Sequence, residues 1–505
     1  MYEGKSLQEL LDDGAAFLQA GDLAAAQKIA DDLLTQTEVH PQSRYFASDI
    51  ESMRGNARAA LQHLQAIQPK RVSPRVRLRK AELYTHTGQR LLAIDEARFL
   101  VENAGDDTQL LISAASLLIQ LEHFGDLEEP LSRARQAAPE HEQLMYLQAV
   151  VYSRRHRIEA ALAVLEELLG RNPQHLGAMY LRSQIARAED PAHIDALLGA
   201  LQTIGPNEQG RAMLNYALGK DYERKSDHAA AFASVEEGAA AYRSLLNYDG
   251  KQELRAQSEI REVFTRERAE SLTPGDHTQM PIFLVGLPRS GLAVTESVLS
   301  QHSQIDALGD TSAFRQILGE LASAAAPNED SDAQACLAVD FPTLGKNYLQ
   351  RQQENGAGSG RFVDRTPFNY LYCGHILTAL PNARIVHVKR DPLDNFYALY
   401  STLFFGACPF SYDMDELRDY MLSYHQQMQH WQSLFPAQIY ELSYEALIRE
   451  PAAQAESLLG FCGLDWEESV LQPDRALHEE RIGISEPQRA TLAPIAEAFA
   501  KAGLR

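Results

Sequence analysis

Along the first half of the chain, apolar positions recur at helical spacing, and no strand-like run interrupts them up to about residue 250. The pattern changes after residue 280. Ile282-Phe-Leu-Val is a short unbroken apolar run of β-type residues, and Ala383-Arg-Ile-Val-His-Val-Lys and Gln438-Ile-Tyr-Glu-Leu are two more candidates. Helical patterns lie between these runs, which predicts a parallel sheet with covering helices. Between the halves, Lys251 to Leu272 reads as one charged helix laced with Glu and Arg, broken by Thr273-Pro-Gly-Asp-His. The expected division is a helical array over 1–250, a linker helix over 251–279 and an α/β domain over 280–505.

The helical half has a period. Gly21, Gly55, Gly88 and Gly125 are spaced 34, 33 and 37 residues apart; Pro41, Pro74, Pro139, Pro173 and Pro206 are spaced 33, 65, 34 and 33. Small residues follow the turns, as in Asp22-Leu-Ala-Ala-Ala and Ile158-Glu-Ala-Ala-Leu, where they let two helices pack closely. A period near 34 with a helical pair in each resembles tetratricopeptide (TPR) repeats, six or seven of them over residues 5–245. The resemblance implies a stacked solenoid whose concave groove holds a protein or peptide. A spacer or a dimerisation surface is the other reading, and a homo-oligomer is compatible with it. Tyr180, Tyr216, Tyr222 and Tyr242 recur at helical positions and read as core filler.

Composition narrows the function classes. The chain has 505 residues, 45% hydrophobic and 23% charged, enough for two or three domains with their own cores. A net charge of −22 argues against a protein that coats nucleic acid or anionic membrane. The N-terminal MYEGKSLQELLDD has neither a basic region nor an apolar core of a signal peptide, and no apolar stretch is long enough to span a bilayer. Cys336, Cys373, Cys408 and Cys462 form no CxxC pair, so free thiols in a reducing cytoplasm are expected, with no disulfide and no thiolate metal site.

The candidate chemistry starts at Pro281–Glu296. Ile282–Val285 reads as a strand, Gly286-Leu-Pro-Arg-Ser-Gly291 as a turn and Leu292 onward as a helix. That is the layout of a phosphate cradle: glycines admit an anion to the backbone, and the helix N-terminus supplies N–H groups and partial positive charge. Arg289 adds a guanidinium suited to phosphate or sulfate. The glycine spacing matches the nucleotide loop GxxxxGK(S/T), but Leu292 and Ala293 stand where Lys and Ser/Thr belong, so an ordinary ATP or GTP hydrolase is not expected. A tight βα turn without a ligand is the plainer alternative.

Further motifs follow in order: Val363-Asp-Arg-Thr-Pro-Phe-Asn, Pro381-Asn-Ala-Arg-Ile-Val-His-Val-Lys-Arg-Asp-Pro-Leu-Asp, Leu442-Ser-Tyr-Glu-Ala-Leu-Ile and Phe461-Cys-Gly-Leu-Asp-Trp. With the loop and the repeats in front, they resemble the bacterial tetratricopeptide-repeat sulfotransferases, related to tyrosylprotein sulfotransferases, over nearly the whole chain. The resemblance implies an α-helical TPR solenoid followed by an α/β P-loop-like domain with a parallel sheet. It also implies transfer of a sulfuryl group from 3′-phosphoadenosine 5′-phosphosulfate (PAPS), leaving PAP, to a hydroxyl or amine. By the same resemblance Arg289, Ser290 and Gly291 would hold the 5′-phosphosulfate and Arg390 the 3′-phosphate. Tyr444 would line the adenosine pocket. Asp310 would be the general base, and Arg365 the cation that stabilises charge on the bridging oxygen. No metal is called for.

Five positions depart from that family. Its two loop threonines are Leu292 and Ala293, its basic Glu is Asp310, its catalytic Lys is Arg365, and its 3′-phosphate Ser is Ala398, with Ser401 one turn on as a stand-in. Arg481-Ile-Gly-Ile-Ser-Glu-Pro is also too short for the family's closing loop. These departures point to relaxed or changed chemistry. Two readings result: a divergent PAPS-dependent enzyme acting on a substrate held by the repeats, or a non-catalytic scaffold working through the solenoid. His387, mid-strand, reads as a core histidine, and His302 as a packing or capping residue.

Overall fold

Helices Leu7–Gln19, Leu23–Leu34, Pro41–Met53, Ala57–Gln65, Pro74–His86, Arg90–Asn103, Thr108–Gln120, Glu128–Ala137 and Glu142–Arg154 succeed one another in the N-terminal part of the computed structural model, which describes residues 5–36, 38–329, 331–358, 361–473 and 482–504. Their starts are written in the sequence. The side chains of Asp22, Asn56 and Asp107 accept from the backbone N–H groups of Ala25, Ala59 and Leu110 at 2.9, 3.2 and 3.0 Å, and Pro41 and Pro74 occupy first helical positions. Ala26, Ala30, Ala81, Ala93, Ala97, Ala114 and Ala115 are fully buried, so small side chains set the close approach of neighbouring helices. The residue that turns the chain in each repeat is left-handed: Gly21, Gly55, Gly88, Glu122 and His156, spaced 34, 33, 34 and 34. Gly125, expected in this series, is not left-handed; Glu122 takes its place, and the repeat is more regular than the glycines alone suggest. The helical N-terminal region is consistent with repeats.

Packing divides the chain into two compact units, Met1–Arg157 and Ile158–Arg505. The change from helix-only to strand-bearing sequence, near residue 280, lies well inside the second unit. Its helices ahead of the sheet are bound to the α/β part. The Tyr216 hydroxyl donates to the Tyr400 carbonyl at 3.2 Å, the Tyr397 hydroxyl to Glu223 at 2.8 Å, and Arg243 grips Glu416 with two bonds of 2.7 and 2.8 Å. Tyr216 and Tyr242 are core residues of this unit, as the sequence suggested. The single helix expected over Lys251–Leu272 is two, Gly250–Val263 and Arg266–Ser271. Phe264 separates them because its ring is fully buried edge-on against Trp431, 5.1 Å between centroids, and Thr265 caps the second helix.

The sheet has five parallel strands, β1 (Ile282–Val285), β2 (Ile305–Ala307), β3 (Arg361–Asp364), β4 (Arg384–Lys389) and β5 (Ile439–Ser443), in the order β2-β3-β1-β4-β5. β1, β4 and β5 are the three runs read from the sequence. β2 and β3 are not among those runs; both are short, and the apolar residues in each are few. Alternate residues of β1 feed two cores. Phe283 and Val285 join Phe314, Tyr348 and Phe362 on one face, and Ile282 and Leu284 join Val298, Val386 and Leu458 on the other. Burial on both faces is why the central strands read as unbroken apolar runs rather than alternating ones.

Candidate functional site

β1 leads to the left of the sheet order and β3 to the right, through β4, so the crevice above β1 and β4 is a topological switch point. The Gly286–Gly291 loop fills it. The Ser290 N–H donates to the Leu287 carbonyl at 3.2 Å, closing the turn, and the Leu292–Leu299 helix begins directly after. Gly291 has φ 108°, and a Cβ there would stand 2.3 Å from Cδ2 of Tyr444, so the loop lies flat on the buried Tyr444 ring. Arg289 is left-handed at φ 69°, a conformation that costs a non-glycine residue about 1–2 kcal/mol and that clusters at functional turns. Its side chain is exposed.

Two side chains from the segment after β4 hold this loop by its carbonyls. Arg390 Nη1 donates to the Arg289 carbonyl at 3.0 Å, and Asn395 Nδ2 to the Pro288 carbonyl at 3.0 Å. The Arg390 guanidinium also lies 5.4 Å from the centroid of the Tyr444 ring. Asp391 caps the Pro392–Tyr400 helix, accepting from Leu393 and Asp394 N–H groups at 2.9 Å each, and its own N–H donates to Glu445 at 2.9 Å. Arg289, Ser290, Gly291, Arg390 and Tyr444 thus meet at one end of the sheet. Ser401 is the buried C-cap of the Pro392–Tyr400 helix, its N–H donating to the Tyr397 carbonyl at 2.8 Å. Thr295 bonds the Gly291 carbonyl at 3.2 Å, which occupies its hydroxyl.

Asp310 and Arg365 are linked through a residue outside the expected set. Glu296, one turn into the helix after the loop, accepts Arg365 Nε at 2.5 Å and the Gly309 N–H at 2.9 Å; the Arg365 N–H in turn donates to the Gly309 carbonyl at 2.9 Å. Asp310 is exposed. Its Oδ1 accepts from the Ser312 N–H at 3.1 Å, the Ser312 hydroxyl at 3.0 Å and the Thr366 hydroxyl at 3.0 Å, and its Oδ2 takes no hydrogen bond from the described residues. Behind it, fully buried Asp364 ends β3 and accepts from Tyr348, Thr311, Gln352 and the Thr366 N–H at 2.8–3.2 Å. Burial pushes the Asp364 carboxyl up to about 6, against the pull of those donors.

His387 is a core histidine. It is buried in β4, 2.5 Å from the Tyr424 hydroxyl and 3.4 Å from Glu441, whose carboxyl the imidazole holds down to about 2. His302 packs at the end of the first helix after the loop, its Nε2 3.0 Å from the Asp465 carbonyl. The segment expected to be too short for a closing loop begins at Arg481, which lies outside the described residues. Its described end is anchored: buried Asp394 accepts from the Gly483 and Ser485 N–H groups at 2.6 and 2.9 Å.

Residues 281–468, which include every candidate site residue above, match the sulfotransferase family. The C-terminal half carries a sulfotransferase-family domain. Among relatives, an uncharacterised protein of Aquifex aeolicus is 28% identical over 386 residues, covering 74% of this chain and 50% of that protein. Protein-tyrosine sulfotransferase A of Caenorhabditis elegans is 21% identical over 210 residues, 40% of this chain and 53% of that protein. The chain therefore spans about half the length of the curated relatives it matches. Among solved structures, the sulfotransferase domain of the Synechococcus PCC 7002 olefin synthase aligns at 14% identity and TM-score 0.32, over 46% of this chain and 98% of that one. Sulfotransferase STF9 of Mycobacterium avium aligns at 12% and 0.30, over 65% and 95%. No described helix of the chain is long and apolar enough to cross a membrane.

In the sulfotransferase domain, Glu296, Asp364 and Asn395 are the site residues that sequence reasoning missed. Glu296 carried one faint signal, a carboxylate one helical turn beyond an anion loop, where like charge would be unfavourable without a cation to meet it. Nothing local to Asp364 or Asn395 distinguishes them from a strand end and a helix position.

Proposed function

We propose that the chain is a divergent PAPS-dependent sulfotransferase, acting on a protein or peptide, or on another hydroxyl or amine acceptor, presented by its repeat helices. The observation that carries this reading is the meeting of the Gly286–Gly291 loop, Arg390 and Tyr444 in one crevice, with Asp310 and Arg365 joined to the same helix through Glu296. The donor set suits the cofactor. Arg289, the loop with Ser290 and Gly291, and the helix N-terminus would hold the phosphosulfate, Arg390 the 3′-phosphate and Tyr444 the adenosine. PAPS, when bound, supplies the sulfuryl group.

The protein's own part is to bind, orient and move one proton. The open Oδ2 of Asp310 would take the proton of the acceptor, while Ser312 and Thr366 fix the carboxylate through Oδ1. Arg365 remains charged and serves as an electrostatic clamp, its charge partly offset by Glu296. In the N-terminal unit, a hollow of about 770 Å³ lined by Leu11, His40, Tyr45, Asp49, Arg75 and Val76 supports a binding role for the repeats. A cytoplasmic location belongs to the same reading. The second reading, a scaffold without catalysis, is favoured by specific residues. Buried Leu292 offers the loop no hydroxyl, nor does Ala293, and Ala398 replaces the serine at the 3′-phosphate, with Ser401 one turn on as its stand-in.

Titration calorimetry with PAP, joined to labelled-sulfate transfer onto peptides and lysate, tests the choice. Arg289→Ala and Arg390→Ala should each weaken PAP several-fold to a few hundredfold, from about 1.5–3 kcal/mol per charge-assisted contact. Leu292→Thr with Ala293→Thr should tighten PAPS about tenfold or more, at roughly 1 kcal/mol per hydroxyl, and adding Asp310→Glu should raise turnover. Transfer that does not need Asp310 would sink the base assignment. Absence of both PAP binding and transfer, in wild type and restored variant, would leave the scaffold.

A further inference from the structure

A second cavity lies elsewhere in the C-terminal unit, and none of its lining residues belongs to the loop site. It has a volume of about 630 Å³ and opens between the Gly250–Val263 helix, the Asp332–Leu337 helix and the segment Leu371–His375. Its apolar wall includes Ile260, Val263 and Leu371. Two polar side chains in its lining are almost wholly buried: Gln257 is 2% exposed and His375 1%. Neither amide atom of Gln257 and neither ring nitrogen of His375 finds a partner within the protein. Burying such groups unpaired is costly, and native proteins rarely do so without a reason.

The charge around this cavity is one-sided. Asp249, Glu253, Glu259 and Asp332 line it, against the single guanidinium of exposed Arg255. Glu253 takes the Tyr248 hydroxyl and Glu259 the Ser331 hydroxyl, but among the described residues no Lys or Arg forms an ion pair with any of the four. Burial keeps the His375 imidazole neutral, pushed down to about 3, so one of its nitrogens is an acceptor near neutral pH.

We propose that this cavity is a binding site for a small organic amine in its cationic form, with its ammonium toward the carboxylates, the Gln257 carbonyl oxygen and the His375 ring, and its apolar body against Ile260, Val263 and Leu371. The acidic rim draws the cation in, the two buried acceptors gain the donors they lack, and the apolar wall excludes a bare metal ion or a fully polar solute.

Phenethylamine is the probe and phenylacetate, of similar shape and opposite charge, the control, each titrated calorimetrically into the full chain at pH 7. The amine should bind with a Kd of about 1 mM or tighter, and phenylacetate at least about tenfold more weakly. Glu253→Gln and Asp332→Asn, both on the rim, should each weaken the amine about fivefold. Gln257→Leu should weaken it about tenfold while raising the Tm of the free protein by about 2 °C, because the orphaned amide is gone. A residue kept only for packing would not separate those two effects. No heat with the amine up to about 10 mM, equal binding of phenylacetate, or unchanged affinity in the two rim variants overturns the assignment. The rim variants carry the test even if Gln257→Leu fails to fold.

Discussion

Replacing Glu296 with Gln removes the counter-charge from Arg365 while keeping an oxygen that can accept the Gly309 N–H. The two side chains are each 14% exposed and meet at 2.5 Å, so solvent screens the pair only in part. Unit charges about 4 Å apart attract by about 4 kcal/mol at an effective dielectric of about 20, and loss of hydration offsets much of that. A guanidinium that has lost this carboxylate keeps its desolvation and loses this attraction. Glu296→Gln should therefore destabilise the C-terminal unit by about 2 kcal/mol, and Arg365→Met, which strands the carboxylate instead, by a similar amount. The double variant removes both charges of the pair and should cost about 2 kcal/mol rather than the sum of about 4. Both tryptophans, Trp431 and Trp466, lie in this unit, so urea unfolding followed by tryptophan fluorescence reports on it alone. Single-variant losses that add to within about 0.5 kcal/mol in the double variant would refute the coupling, and with it the role of Glu296 in setting Arg365 beside Gly309 and Asp310.

Gly291→Ala should cost about 2–4 kcal/mol, since φ 108° is strained for any side chain and the new Cβ would stand 2.3 Å from the Tyr444 ring; a loss under about 1 kcal/mol in the same assay would mean that the loop does not rest on that ring. The Asp364 carboxyl, raised to about 6 from an ordinary value near 4, binds its proton more readily in the folded state. Its contribution to stability is therefore full below about pH 4, falls as pH rises and is lost above about pH 6, a change of about 3 kcal/mol. Asp364→Asn should flatten the urea midpoint across that window relative to wild type, and parallel curves for the two would exclude the assignment.

Local pattern determined much of this protein. The helical first half, its period near 34, the apolar runs that became β1, β4 and β5, and the strand–loop–helix at Pro281–Glu296 could be read from neighbours in the chain, because each depends on interactions within a few residues. The ordered motifs carried the family of the C-terminal half. Where a local signal was degenerate, the reading slipped. Glu122, left-handed at φ 54°, turns its repeat in place of the expected Gly125. Only tertiary structure decided how the chain is partitioned. Tyr216, Arg243 and Phe264 look like ordinary helix residues, yet their partners are 184, 173 and 167 positions away, at Tyr400, Glu416 and Trp431. The same holds for the site. Loop chemistry is local and was legible, whereas Glu296 meets Arg365 across 69 positions and Asn395 meets Pro288 across 107. A pairing over that distance is set by the order of strands in the sheet, which no short window of sequence contains.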